Sequence, residues 1–348
     1  MDFRDSPEEA AYRADLRQWL ARNVPRGDTG GARGRGRYGG LDVEAWRDWS
    51  RALHDAGYVG ITWPREHGGQ GLGHTYEAIF LEESGRASAP PHMGVIGLGM
   101  AGPTIIAHGT PEQKAYHLPR ILSAEEVFCQ GFSEPDAGSD LASLRTRAER
   151  REGRYVVNGQ KVWSSFAHLA DWCILLTRSD PRTDDRHHGL TYLIVDMHSP
   201  GVEVRPLRQI TGDPEFNEIF FTDVEVPAEN LLGGEGQGWA VAMTTLLHER
   251  GTSGFALVAP LENLLRQVVE LARTPLPSGR RPADDPLVRD RIARQWVELQ
   301  ALRYTNDRSL TTLIRTGIPG PEGSVAKLGW SESNQRLTKL ALEIEGLL

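Results

Sequence analysis

Cysteine is scarce in this chain: Cys129 and Cys173 are the only two in 348 residues. Each sits beside large apolar residues, so they read as buried thiols in a reducing compartment and not as a disulfide or a metal pair. Positive charge is also in deficit. With 39 Lys and Arg against 47 Asp and Glu, the formal net charge is -8, which argues against a nucleic-acid surface and favours solubility. Long apolar runs are missing: none approaches membrane-spanning length, and the opening Met1-Asp2-Phe3-Arg4-Asp5-Ser6 is not a signal peptide. The expected location is the cytoplasm, with no membrane partner. Nor does any repeat recur at solenoid periods. What is present, 39% hydrophobic and 25% charged residues, describes an ordinary soluble protein long enough for two or three domains.

Hydrophobic periodicity orders the chain as helices, then strands, then helices. Ser6-Pro7-Glu8-Glu9 is a capping box with proline at the first helical position, opening a helix whose Tyr12, Leu16, Trp19 and Leu20 share one face. The stretch from Gly27 to Gly40 contains Arg-Gly repeats, but it is short and lies in an acidic chain, so a flexible surface loop is expected over an RNA-binding segment. Asp42 caps a second helix that Gly57 ends. Trp63 to Gly71 is a sharp glycine-rich corner with a structural role. Gly97-Leu98-Gly99-Met100-Ala101-Gly102 matches the dinucleotide fingerprint in letters only. No strong strand precedes it and no strand–helix alternation follows, so these glycines are expected to permit tight helix packing. Thr110-Pro111-Glu112-Gln113 is another capping box.

From Val127 the period shortens. Arg145–Glu149, Tyr155–Trp163, Trp172–Thr177, Leu190–Asp196, Val202–Leu207 and Glu218–Val226 read as short strands punctuated by Gly and Pro, indicating a compact antiparallel domain. His187 and His188 lie in a polar loop with Asp184, Asp185 and Arg186, read as solvated and not as a metal site. After Pro227, a glycine-rich loop from Gly233 to Gly238 leads into one long helix carrying Val241 through Leu264. Helices from about Leu287 to Ile314 and from about Val325 onward follow. The expected fold is α+β multidomain: an N-terminal helical domain (1–126), a central antiparallel β domain (127–232) and a C-terminal helical domain (233–348) that reads as shortened.

The stretch from Phe128 to Arg178 carries the chemistry. Ser133-Glu134-Pro135-Asp136-Ala137-Gly138-Ser139-Asp140 is loop-forming and presents backbone N–H groups and short hydroxyls, suited to a polar, anionic ligand. Tyr155 to Ser165 reads as a strand, an Asn158-Gly159 turn, then a strand ending in Trp163 and two serines. A flat ring beside small hydroxyls suits a planar cofactor stacked on one face and hydrogen-bonded at its rim. From the residues alone, a core-filling Trp163 and a plain turn at Ser133 fit equally well.

Ser133-Glu134-Pro135, Gly138-Ser139-Asp140, Asn158-Gly159-Gln160-Lys161 and Trp163, in that order, resemble the flavin-binding signature of the acyl-CoA dehydrogenase family. That family usually has Thr at the place of Ser133, a change that keeps the hydroxyl. The resemblance covers the whole chain and implies FAD between the β domain and the C-terminal helices. By motif, Gln130, Phe132 and Ser133 would line the flavin, and Gly138 and Ser139 would lie near the diphosphate and substrate. Trp163 would cover the isoalloxazine face and Ser165 would bond near N5. The implied reaction removes the proton α to an acyl thioester (acyl-CoA or acyl-carrier protein) with a glutamate while the β hydrogen leaves as hydride to flavin N5. An electron-transfer flavoprotein would then take the electrons.

Most members carry that glutamate near the C-terminus. A minority, of isovaleryl and long-chain type, carry it on the helix before an arginine, and His248-Glu249-Arg250 is similar to that pattern. Burial on an apolar helix face raises a carboxylate's pKa, which suits a base for a weakly acidic proton. Glu249 is therefore the expected base and Arg250 a substrate contact. Leu340 to Leu348 resembles the start of the family's Gln-x-x-Gly-Gly-x-Gly segment, and the family's following thioester-binding loop is absent, so the chain is expected to rebuild that site, to take it from a partner, or to be a truncated form. The segment from Arg280 to Asp285 departs from the family's Arg, Phe-Gly pattern. The family is usually a tetramer, sometimes a dimer. A flavin oxidase or monooxygenase on the same fold, and a non-catalytic subunit completing a partner's site in a hetero-oligomer, are the alternatives.

Overall fold

Capping residues set the helix boundaries. In the computed structural model Ser6 and Thr110 each close a reciprocal capping box, and Asp42 accepts from the Ala45 N–H at 2.8 Å. The structure describes residues 4–25, 42–181, 185–210, 212, 214–249 and 253–346, and for Glu249 and Ser253 the backbone alone. The glycine-rich segment 27–40, Asp184 and Arg250 lie outside the described residues. The order is α1 (Pro7–Asn23), α2 (Val43–Asp55), α3 (His74–Arg86), α4 (Gly102–His108), α5 (Pro111–Leu122), β1 (Phe128–Gly131), β2 (Arg147–Arg151), β3 (Arg154–Lys161), β4 (Trp172–Arg178), β5 (Leu190–Asp196), β6 (Val202–Leu207), β7 (Phe216–Pro227), α6 (Gly238–Glu249), α7 (Ser253–Arg273), α8 (Pro286–Thr316) and α9 (Glu322–Glu345). Helices, a sheet and helices follow one another as the periodicity predicts. The expected single helix from Gly238 past Leu264 is described as α6 and α7, and residues 250–252 that join them lie outside the described residues.

The chain divides into two units. The first takes residues 1–26, 72–90 and 249–348 and contains α1, α3, α7, α8 and α9. Its core joins Val258, Leu261, Leu265 and Val268 of α7 to Leu299 and Leu302 of α8 and Leu337, Leu340 and Ile344 of α9. On α3, Glu83 is only 3% exposed and gathers Arg13 (2.7 Å), Arg17 (2.6 Å) and Arg86 (3.0 Å). Burial alone would raise this carboxyl. Hydrogen bonds from Arg17 and Arg13 and the charge of Arg86 outweigh it and hold Glu83 below its ordinary value. Glu83→Gln is expected to cost about 3 kcal/mol at pH 7, the low end for a buried pair because Arg17 is itself well exposed. A depressed carboxylate stabilises above its unfolded pKa and loses that contribution as pH falls through the folded one. Urea titrations of wild type and variant should therefore converge as the pH drops below the ordinary glutamate value; a gap that persists in acid would assign the loss to packing.

The second unit takes residues 27–71 and 91–248 and contains α2, α4, α5, the sheet and α6. Among the described residues the sheet has the order β1-β4-β2-β3-β7-β6, with β5 on β4. Pairing is antiparallel at β2·β3, β3·β7, β4·β5 and β6·β7, as alternation and hairpin spacing imply, and parallel at β1·β4 and at one β2·β4 register. Strand β1, four residues beside a loop signal, is too short for periodicity to reveal. Its register sets Cys129 directly opposite Cys173, both free and fully buried, so the two thiols are neighbours and not isolated. Burial and the adjacent Cys173 push Cys129 well up.

Asn158-Gly159 is not a turn. Strand β3 runs straight through it with a bulge between Val157 and Gly159. Gly159 has φ +153 and presses on Thr146, whose Cα would lie 2.6 Å from an added Cβ. The Asn158 carboxamide bonds Asp223 across the sheet, so tertiary pairing overrides the local Asn-Gly preference. The 97–102 glycines form a π-helical turn leading into α4, and a Cβ on Gly102 would meet the Trp63 ring at 2.1 Å. The close packing expected of them is present.

Candidate functional site

The loop after β1 is anchored from both ends. Glu134 and Ala137 exchange backbone hydrogen bonds (2.9 and 3.1 Å) around Pro135-Asp136, and the Ser133 carbonyl accepts from the Val162 N–H at 2.9 Å. The Glu134 carboxylate accepts from the N–H groups of Arg145 (2.7 Å) and Thr146 (2.8 Å) and from Lys161 Nζ (2.9 Å). Lys161 is fully buried and also donates to the Phe132 carbonyl at 2.9 Å. Burial pulls the Lys161 pKa down despite its partner; burial pushes Glu134 up, but the Lys161 charge and the Thr146 and Arg145 hydrogen bonds hold it below its ordinary value. The sequence reading missed this pair. Its signal was a lysine directly before the apolar Val162 and Trp163 at the end of a strand, a position that when buried demands an acid.

Trp163 follows β3 with φ +62, a left-handed conformation rare for a large side chain. The reason lies on either side. Val162 bonds the Ser133 loop, while Ser164 pairs with Asn217 through both backbone groups (3.0 and 3.1 Å). The residue between is thrust outward: Trp163 is 61% exposed, edge-to-face with Phe216 (centroids 5.8 Å). Such strain in an exposed aromatic points to use, not packing. The core-filler reading of Trp163 is excluded by its exposure.

Around that ring the expected residues divide by role. Gln130, on β1, is half-buried, and its Nε2 finds no hydrogen-bond partner among the described residues; nor does the buried Ser164 hydroxyl, which the sequence reading did not single out. Phe132 is buried edge-on against Tyr192 (5.7 Å), so its ring belongs to the core. Ser133 and Ser165 are half-buried, while Gly138 and Ser139 are exposed, with open space where a Gly138 Cβ would be. Orphaned buried donors are costly unless a ligand or water completes them. An exposed flat ring, two incomplete polar groups and an open backbone loop can together hold a flat ligand with a polar rim. In the polar loop, His188 bonds Asp185 (2.7 Å) and His187 stacks on Trp239 (4.3 Å).

Helix α6 starts where only glycine fits: a Cβ on Gly238 would lie 2.6 Å from the Thr191 nitrogen. Val241, Ala242 and Thr245 form its buried stripe, and Met243 and Leu247 are exposed. The backbone of Glu249 comes one turn after Thr245. Arg250 lies outside the described residues.

Family models for the acyl-CoA dehydrogenase N-terminal, middle and C-terminal domains match residues 6–125, 129–224 and 236–347. The chain is 43% identical over 339 residues to the acyl-CoA dehydrogenase IpdE1 of Mycobacterium tuberculosis, covering 96% of this chain and 85% of that protein. Among solved structures it resembles the ChsE4-ChsE5 complex from Mycobacterium tuberculosis (TM-score 0.84, 33% identity, 99% of this chain and 86% of that one). It also resembles the Tcur3481-Tcur3483 steroid acyl-CoA dehydrogenase (TM-score 0.86, 30% identity, 99% and 86%). With all three domains matched in order on a helical, β, helical chain, the protein belongs to the acyl-CoA dehydrogenase family and is an oxidoreductase of that type.

Proposed function

We propose that this chain binds FAD at the Ser133 loop and Trp163, and desaturates an acyl thioester at its α,β bond with Glu249 as base. The observation that carries the reading is Trp163, held outward at φ +62 between Val162, which bonds the Ser133 loop, and Ser164, whose buried hydroxyl finds no partner among the described residues. The indole offers a stacking face, and Gln130, Ser164 and Ser165 offer polar groups to the rim. Ser133, Gly138 and Ser139 offer hydroxyls and backbone N–H groups to the diphosphate and substrate. When bound, the flavin supplies an acceptor for the β-hydride. Glu249 takes the α proton, Arg250 contacts the substrate, and an electron-transfer flavoprotein receives the electrons. The division at 1–126, 127–232 and 233–348 fits this assignment, as does a cytoplasmic location; among the described residues no helix is long and apolar enough to cross a membrane.

The substrate class we favour is a CoA thioester bearing a bulky ring, because one relative is described as a steroid acyl-CoA dehydrogenase. A second reading, a hetero-oligomer in which a sister chain completes the site, is favoured because two structural relatives are described as two-protein assemblies. The test is the visible spectrum of the purified protein, before and after anaerobic addition of butyryl-, isovaleryl-, octanoyl- and steroid-side-chain acyl-CoAs. A flavin band near about 450 nm that bleaches supports the dehydrogenase. Bound flavin that none of them bleaches, but that oxygen reoxidises rapidly once dithionite has reduced it, favours the oxidase or monooxygenase. Absence of flavin from the chain alone, with recovery on co-expression with a homologous chain, favours the hetero-oligomer.

A further inference from the structure

Three hydroxyls meet inside the second unit with no water-facing surface. Thr245 Oγ1 of α6 lies 2.9 Å from the Tyr192 hydroxyl of β5 and 2.9 Å from Thr104 Oγ1 of α4, and all three residues are fully buried. Thr245 also reaches the Val241 carbonyl (3.1 Å) and Thr104 the Met100 carbonyl (2.7 Å). Carbonyls cannot donate, so the three hydroxyl hydrogens complete at most three of these four contacts. Burial pushes the Tyr192 phenol well above its ordinary pKa, so it stays protonated and acts as a donor. The remaining two hydrogens then run in a chain between the threonines and the helix carbonyls. A chain whose phenol cannot ionise is a poor proton relay but a good clamp. The neighbouring Thr244 is tied to α4 as well, through His108 Nε2 at 2.9 Å. Rotation of α6 about its axis is therefore opposed from two sides, in addition to the Gly238 contact with β5.

The clamp also joins two parts of the expected chemistry. Tyr192 packs edge-on against Phe132, whose carbonyl holds Lys161 under the Ser133 loop. On the other side, Glu249 follows Thr245 by one turn of α6. We propose that Thr245, gripped by Tyr192 and Thr104, is a positioning residue that sets the rotation of α6 and thereby the aim of Glu249. This rests on the assignment of Glu249 as base. A helix end turned through a fraction of its circumference displaces a carboxylate by more than an ångström, and misplacement on that scale slows proton removal steeply.

The experiment uses the full chain with Thr245→Val, which keeps the shape but removes the hydroxyl, with Thr245→Ser as rescue, and with Thr104→Val as the milder cut that leaves Tyr192 its acceptor. Amide hydrogen exchange is read first. Thr245→Val is expected to speed exchange across the C-terminal half of α6 by about tenfold, with β4 and β5 unchanged and Thr245→Ser restoring protection. Anaerobic flavin reduction by the best acyl-CoA of the panel is read second. Its saturating rate should fall about tenfold to a hundredfold at unchanged flavin content and half-saturation, with a larger isotope effect for α-deuterated substrate. Unchanged exchange overturns the clamp whether or not any acyl-CoA reduces the flavin. Faster exchange with an unchanged reduction rate overturns the positioning role. Glu249→Gln, run alongside, separates the two ideas: an active Glu249→Gln overturns the base, while an inert one beside a fully active Thr245→Val overturns only the positioning role.

Discussion

Glu249→Gln is expected to retain flavin and acyl-CoA binding yet lower substrate-driven flavin reduction by about a thousandfold, the middle of the range for loss of a positioned general base. The substitution keeps the size and one hydrogen-bonding oxygen but cannot accept the α proton. Because the change falls on a group used in the transition state and little in binding, the rate at saturation should drop while half-saturation stays near wild type. Its backbone follows Thr245 by one turn of α6, the helix on which Val241, Ala242 and Thr245 face inward. Stopped-flow bleaching with the best acyl-CoA of the panel checks it. A variant that reduces flavin within tenfold of wild type removes Glu249 from the role and directs attention to a carboxylate elsewhere.

Lys161→Met should be the most destabilising single change near the Ser133 loop. It leaves the Glu134 carboxylate and the Phe132 carbonyl buried without the ammonium that joins them at 2.9 Å each. Breaking a buried pair from one side costs about 3–5 kcal/mol, because a charge is left uncompensated. The two backbone donors that remain on Glu134, from Arg145 and Thr146, place the expectation at the lower end. Loss of the anchor also frees the loop that carries Ser133, so the flavin-to-protein ratio should fall in parallel. Pairing Lys161→Met with Glu134→Leu should recover much of the stability, since an apolar pair needs no compensation, but not the flavin, since the loop's polar tie is gone. Denaturant melts and absorbance ratios of the three variants decide it. Wild-type flavin content in Lys161→Met would show that the loop is held by other contacts.

Much of the architecture was legible because it is written in local chemistry. Capping boxes at Ser6 and Thr110, the apolar run of β5 and the alternation in β6 act through neighbours in sequence, and each matches the structure to the residue. Local signals misled where distant residues intervened. Asn158-Gly159 carries the strongest hairpin signal in the chain, yet Thr146 and Asp223 hold it as a bulge in one strand.

The sequence by itself determined the family, the helical, β, helical order and the set of candidate site residues, because these rest on motifs and on periodicities that need no partner. Only the tertiary structure decided what those residues face. Trp163 is a core residue by composition and an exposed ring by virtue of the opposing hydrogen bonds of Val162 and Ser164. Lys161 is a surface residue by type and a buried anchor because Glu134 folds back onto it. Thr104, Tyr192 and Thr245 carry no sequence signal at all. Burial makes their hydrogen bonds obligatory, and only a folded chain brings the Thr104 and Tyr192 hydroxyls, distant in sequence, each to 2.9 Å from that of Thr245.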